Sequence, residues 1–455
     1  MAGIAATPLG PEDRAILALE SATVAGHTCK VVRLGAGDEG VGAPSIDALR
    51  TRIADRLVDA PLLTCMLGSE GGVVAWVPDP AFDVARHVTE APVDGPLDRG
   101  GVLTVVASLF AQHLPRDRPL WKMDAIHLPD GGALLVWRIH HALADGTATM
   151  RYARMLLWDG DDAAAPTRTS DTQTRASGPL ATGAAAPHAA AAATAHRRAR
   201  LAAEHAADER RRRGHLAAFL RREYARSHER SPFDGTIGTR REIGFAAISF
   251  AALHDAARTL DGATVNDGVL AVVTGALRQW LVARHGTLGD LRVRVPVSLH
   301  HEGDDAANRD SFFSLALPLG LSDPVERLRA IHAQTSVRKA DHDAERRELL
   351  LHEMGHVSPQ LADLATRLER SPRRFALSVS NVVGPRAPVE LLSAPVQALH
   401  GLAEIGERHA LRIAVTSFAD RLCFGLLADP LLVPDVQTMA AAIEVEAELL
   451  RAATA

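Results

Sequence analysis

The stretch Ala133-Leu-Leu-Val-Trp-Arg-Ile-His-His-Ala-Leu-Ala-Asp-Gly146 decides how this chain is read. Its first five residues have the length and the apolar, partly aromatic character of a buried strand. Beyond Asp145-Gly146, the apolar positions Met150, Ala153 and Leu157 recur at helical spacing, so the paired histidines sit at a strand-to-helix junction. Consecutive side chains on an extended segment point to opposite faces, which keeps His140 and His141 from sharing one ligand or one metal. One should face the interior and the other an open cavity. A neutral imidazole in a cavity titrates near physiological pH and can take a proton from an alcohol as it attacks a carbonyl. Asp145 is placed either to pair with an arginine or to cap the following helix, and Gly146 lets the backbone turn closely. A single histidine is more often structural than catalytic, but the whole His-His-x-x-x-Asp-Gly pattern at a strand end favours the chemical reading.

Working outward, both halves of the chain alternate strand-like and helix-like pieces. In the first, residues 29–34, 73–77 and 133–137 predict strands, while 45–58 and 103–110 predict helices. In the second, residues 242–249 and 291–297 predict strands flanking a long helix over 266–282, and 411–418 with 422–428 predict a hairpin around Ala419-Asp420. Patterning therefore gives a mixed α/β or α+β architecture. Between the halves, residues 159–194 are rich in Ala, Pro, Thr, Ser and Gly without apolar periodicity, as expected of a linker. Residues 195–230 read as a helical stretch broken at Gly214, either a solvated crossover or a basic amphipathic element resting on an anionic lipid surface. Mixed glutamates and few large apolar anchors favour the crossover. The expected division is residues 1–158 for the domain carrying the histidines, 159–230 for linker and crossover, and 231–455 for a second domain.

At 455 residues and 48.4 kDa with 47% hydrophobic content, the chain can build two substantial cores. A net charge of −5 gives no reason to expect nucleic acid as a partner. Cys29, Cys65 and Cys423 are scattered, odd in number and without metal-type spacing, as reduced thiols in a cytoplasmic protein would be. The N-terminus carries no charged region followed by an apolar core, and no stretch reaches the roughly 20 apolar residues of a membrane span. A soluble or peripheral protein is expected.

Two rival motifs carry less. His352-Glu353-Met-Gly-His356 has zinc-peptidase spacing, but Gly355 lies inside the supposed ligand helix and Ser358-Pro359 follows at once, so a boundary between helices is the better reading. Gly35-Ala-Gly-Asp-Glu-Gly40 satisfies a dinucleotide-binding pattern, yet Gly42-Ala-Pro44 intervenes before any helix and Asp38-Glu39 would face a pyrophosphate. It reads as a surface turn. No Gly-x-Ser-x-Gly nucleophile elbow is present.

The histidine pattern resembles the active-site signature of the bacterial wax ester synthase/acyl-CoA:diacylglycerol acyltransferases, and more loosely that of chloramphenicol acetyltransferase-like and condensation-domain enzymes. Other segments are similar to the first group in its order: Pro8-Leu-Gly-Pro-Glu-Asp13, Arg118-Pro-Leu-Trp121, Thr264-Val-Asn-Asp267, Val295-Pro-Val-Ser298 and Ser380-Asn-Val-Val-Gly-Pro385. Val383 departs from an expected proline, and His300 from an expected arginine. The resemblance implies two chloramphenicol acetyltransferase-like domains, each a mixed sheet flanked by helices, with a tunnel between them. It implies direct transfer of a long-chain acyl group from acyl-CoA to diacylglycerol or to a long-chain fatty alcohol, with no cofactor and no metal. His141 would be the general base, His140 its support and Asp145 the residue that holds the loop. Ser378, Ser380 and Asn381 become candidates to steady the oxyanion or the acceptor, against the alternative of a capped turn before Gly384-Pro385. A member that keeps the fold and binds lipid or acyl-CoA without turnover, and a zinc hydrolase, are the alternative functions. Contact with the inner membrane face or a lipid-droplet surface would follow from the lipid acceptor.

Overall fold

The structure, a computed structural model, describes residues 6–36, 42–93, 95–160, 230–298, 310–340, 372 and 374–455. Residues 1–160 and 226–455 belong to one compact unit. The expected linker and crossover over 159–230 and the zinc-like segment at 352–356 lie almost wholly outside the described residues, as do residues 37–41 of the glycine-rich turn and His300.

Three sheets organise the described residues. A small one joins β1 (Thr7–Pro8), β3 (Cys65–Glu70) and β4 (Val73–Pro78) in the order β1-β4-β3. The second contains β2 (His27–Leu34), β5 (Val88–Glu90), β6 (Trp121–His127), β7 (Ala133–His140), β12 (Glu390–Leu391) and β13 (Ala394–Ala403), ordered β12-β13-β2-β7-β6-β5. The third contains β8 (Glu242–Ser249), β9 (Arg292–Ser298), β10 (Asp310–Ala316), β11 (Leu377–Val383), β14 (Leu411–Phe418) and β15 (Arg421–Ala428), ordered β10-β9-β11-β14-β15-β8. Both large sheets are mixed, because β5 runs parallel to β6 and β11 runs parallel to both β9 and β14.

Among the described residues the helices are α1 (Pro11–Leu17), α2 (Ile46–Arg56), α3 (Arg99–Ala111), α4 (Gly146–Leu156), α5 (Phe250–Arg258), α6 (Val265–His285), α7 (Pro324–Ala340) and α8 (Val436–Thr454). Their ends follow local chemistry. Ser45 caps α2 by accepting from Ala48 N–H at 3.3 Å. Thr264 and Asp267 form a capping box on α6, which Gly286 ends in the left-handed conformation. That helix is buried along both of its faces, so its apolar residues are nearly continuous rather than periodic.

The mixed α/β expectation holds, with strand order adding one feature. Strands β12 and β13 follow residue 231 in the chain, yet β13 pairs antiparallel with β2 across Val396–Leu34 to Ala403–Thr28. The second half thus lends strands to the sheet that carries the histidines. Where β13 crosses the third sheet the backbones touch closely: a Cβ on Gly425 would run into the Gly401 carbonyl oxygen. Two apolar cores result, one around α6, α8 and the third sheet, the other around α2, α4, Trp121 and Trp137.

Candidate active site

Strand β7 is buried at every position and ends at His140; Asp145 then opens α4. The turn between is fixed by its backbone. His141 N–H donates to Gly26 O at 2.9 Å, and Leu143 and Ala144 N–H both return to His140 O at 2.9 and 3.1 Å. The two histidines part as strand geometry requires.

His140 has no solvent exposure. Its Nδ1 accepts from Ala142 N–H at 3.1 Å, which leaves the ring proton on Nε2. That nitrogen stands 2.7 Å from the Glu20 carboxylate, in close polar contact but off the straight line of a good hydrogen bond. Glu20 also pairs with Arg116. Burial works against its ionisation, and the close His140 ring and Arg116 guanidinium outweigh burial and hold the carboxyl below its ordinary range. Gly26, with φ of 71°, makes this contact feasible: a Cβ there would stand 2.7 Å from His140 Nε2.

His141 walls two cavities. One, of about 540 Å³, is also lined by Glu20, His27, Arg294, Ser378 and Arg408. The other, of about 60 Å³, is also lined by Lys30, Gly146, Ser380, Asn381 and Thr416. Arg412 borders both. Each chamber is walled by both halves of the chain, and the two share one imidazole. Burial, and after it the Arg412 guanidinium, push the His141 imidazole down to about 4, with Asp145 pulling the other way. At neutral pH it is therefore an uncharged base.

Of the two roles open to Asp145, the structure shows helix capping. Its carboxylate accepts from Ala148 N–H at 2.6 Å, its carbonyl from the Thr149 hydroxyl at 2.7 Å, and its side chain has no exposure. Gly146 corrects the expectation of a tight turn. It opens α4 without a positive φ, and its missing side chain serves packing instead, since a Cβ would stand 2.9 Å from Val382 Cγ2 on β11.

The second-half candidates divide. Ser378 and Ser380 alternate along β11 and stand in register with Arg412 and Ala414 of parallel β14, so these four share one face. Ser378 lines the larger chamber and Ser380 the smaller. Asn381 lies at the rim: it is exposed, and its Nδ2 donates to Asn266 Oδ1 on α6 at 2.6 Å. That bond ties the Ser-Asn segment to the Asn-Asp helix start. Sequence reasoning missed Glu20, Lys30, Arg412 and Thr416. Lys30 alone left a signal, a charge inside the otherwise strand-like run Cys29-Lys-Val-Val.

Among the described residues, no group of three or more His, Cys, Asp or Glu is arranged to hold a metal ion, and no helix is long and apolar enough to cross a membrane. All three cysteines are free and buried.

Comparison with known proteins identifies the family. Relatives include the Mycobacterium tuberculosis protein named probable diacylglycerol O-acyltransferase tgs1, 28% identical over 391 residues, 82% of this chain and 80% of that protein. The protein named probable diacylglycerol O-acyltransferase tgs2 from the same species is 29% identical over 395 residues, 82% of this chain and 83% of its own length. In fold, the chain is similar to the wax ester synthase/diacylglycerol acyltransferase of Marinobacter aquaeolei VT8, with TM-score 0.67 and 21% identity over 98% of this chain and 99% of that one. The first condensation domain of the CDA synthetase follows at TM-score 0.59 and 15% identity, over 100% and 98% of the respective chains. Residues 9–269 match the wax ester synthase/diacylglycerol acyltransferase catalytic domain and residues 306–451 the C-terminal domain of the same group. The chain belongs to the wax ester synthase/diacylglycerol acyltransferase family.

Proposed function

We propose that this protein transfers a long-chain fatty acyl group from acyl-CoA to a lipid hydroxyl, foremost that of diacylglycerol to give triacylglycerol, with long-chain alcohols as second acceptors giving wax esters. The observation that carries the reading is His141, an uncharged imidazole that walls two chambers at once. Two substrates can reach one base from two sides, as direct transfer requires.

In the proposed reaction, His141 takes the proton of the acceptor hydroxyl while that oxygen bonds to the thioester carbonyl carbon. The carbonyl electron pair moves to oxygen. Collapse of the tetrahedral state breaks the carbon–sulfur bond, and the thiolate leaves and recovers the proton from His141. A thiol with an ordinary pKa of about 8.5 is a good leaving group, so no covalent enzyme intermediate is required. His140, held by Glu20 and by Ala142 N–H, fixes the turn behind the base. Asp145 fixes the loop from its cap position. Ser378 and Ser380 face the reacting centre from β11. The reaction consumes acyl-CoA as a substrate and uses no cofactor or metal. The same reading puts the enzyme in the cytoplasm, consistent with its three free cysteines, and has it meet its lipid acceptor at the inner membrane face or on lipid droplets.

Thiol release from palmitoyl-CoA, measured with diacylglycerol and with hexadecanol in turn, tests the reading. Acceptor-dependent release with diacylglycerol preferred is expected. No release with either acceptor would support a binding member of the fold instead.

A further inference from the structure

The smaller chamber holds a cation that the reaction above does not use. Lys30 sits on β2 at 2% exposure, in register with Gly401 of β13. Its ammonium lines the same chamber as His141, and no hydrogen bond or ion pair takes it up among the described residues. Thr416 on β14 has no exposure, and its hydroxyl is likewise without a hydrogen-bond partner there. Both groups converge on Gly401: a Cβ at that position would stand 3.0 Å from Thr416 Oγ1 and 3.5 Å from Lys30 Nζ. The missing side chain leaves open the space they face.

Keeping an unpaired ammonium in a desolvated chamber is costly unless something there repays it. About 60 Å³ gives room for a small polar group such as a carbonyl. A neutral carbonyl repays little, but an oxygen that becomes anionic during the reaction repays much, and such an interaction is stronger in the transition state than in the ground state.

We infer that Lys30, with the Thr416 hydroxyl beside it, is a catalytic residue that stabilises the oxyanion formed on the thioester carbonyl. The inference rests on the acyl-transfer reading. As the acceptor oxygen bonds to carbon and its proton passes to His141, the carbonyl electron pair becomes the anion that Lys30 and Thr416 hold. It returns when the carbon–sulfur bond breaks, so Lys30 donates hydrogen bonds throughout and keeps its protons. Burial pushes the Lys30 ammonium down to about 8, against the pull of Cys29 on its own strand and of Asp145 at the head of α4. The other titratable or charged groups on surrounding elements are His141 and Arg138 after and on β7, His400 on β13 and Arg412 on β14. Activity should therefore fall as pH rises through about 8, where the ammonium is lost.

The test is steady-state kinetics of Lys30→Met, Lys30→Arg and Thr416→Val on the full chain across pH 6–10, with palmitoyl-CoA and diacylglycerol, and a melting curve for each variant. Losing one such donor costs about 10²–10³ in kcat, so Lys30→Met should lose that much with both KM values little changed. It should also lose the alkaline limb near pH 8, and Lys30→Arg should recover part of kcat without that limb. Thr416→Val, smaller in effect, should lower kcat rather than raise KM, and it keeps the question answerable should Lys30→Met fail to fold. A folded Lys30→Met with wild-type kcat, a loss confined to KM, or an unchanged alkaline limb would overturn the inference. If wild type itself shows no acyl transfer, or His141→Ala retains it, the functional reading fails first; if both behave as expected and only Lys30→Met is silent, this inference fails alone.

Discussion

Glu20 offers the sharpest test of how the paired histidines are held. Replacing it by alanine removes the carboxylate 2.7 Å from His140 Nε2, and His140 has no solvent to turn to, whereas the Glu20 side chain is 17% exposed. A buried donor left without any polar partner costs about 1–3 kcal/mol, and the off-line contact with Glu20 puts this loss toward the low end. Partial exposure of Glu20 lets water repair some of that, which places Glu20→Ala at about 1–2 kcal/mol, or roughly 1–2 °C in melting temperature for a chain of this length. The catalytic cost should be larger. His140 anchors the turn through Ala142 N–H, and that turn carries His141, so a freed His140 ring shifts the base. Misplacement of about 1 Å can cost 10²-fold, and we expect kcat to fall roughly 10- to 100-fold with little change in either KM. Glu20→Gln keeps an acceptor oxygen and should stay within about fivefold of wild type. Because the fold holds the Glu20 carboxyl below its ordinary 4.5, the stability it contributes is fully present above that value and is lost as pH falls through the lowered one. The wild-type melting advantage over Glu20→Ala should therefore shrink at acid pH. Assays are thiol release and thermal melts on the three proteins; an alanine variant with wild-type kcat and melting temperature would refute the supporting role of His140.

Two further predictions follow from the same geometry. With the His141 imidazole pushed down to about 4, kcat/KM in initial-rate assays should hold through pH 6 and decline only toward pH 4; an acid limb at 6.5 would show a base in an ordinary solvated setting. Gly146→Ala places a methyl 2.9 Å from Val382 Cγ2 and should cost about 1–3 kcal/mol by overpacking, read as a lower melting temperature; adding Val382→Ala should restore most of it, and strictly additive losses would contradict the contact.

What the sequence revealed of this fold was what depends on local pattern. The strand-to-helix junction at the histidines was legible because β7 is apolar throughout, Asp145 is a strong capping residue and Met150 and Ala153 mark the buried face of α4. The strand over Glu242–Ser249 and the hairpin around Ala419-Asp420 were legible for the same reason. The partnership of β13 with β2 was not, because nothing in the alternation of Ala394–Ala403 says which edge it joins. The site followed the same division. His140 and His141 announced themselves by adjacency, whereas Glu20 reaches His140 across 120 positions of sequence and Arg412 reaches the chambers from β14. Such contacts exist only once the chain is folded. Gly146 was misread for a related reason: a glycine after an aspartate suggests a turn, but the constraint comes from Val382, a residue of another strand.

The central claim is that His141 is the base that moves an acyl group from thioester to lipid hydroxyl. Its most direct test is transfer of a labelled palmitoyl group from coenzyme A to diacylglycerol by wild type and by His141→Ala, with the melting temperature of each recorded alongside. The account predicts labelled triacylglycerol from wild type and, from an alanine variant that melts like wild type, a rate lower by about 10²–10⁴. Wild-type transfer by a folded His141→Ala protein would contradict it.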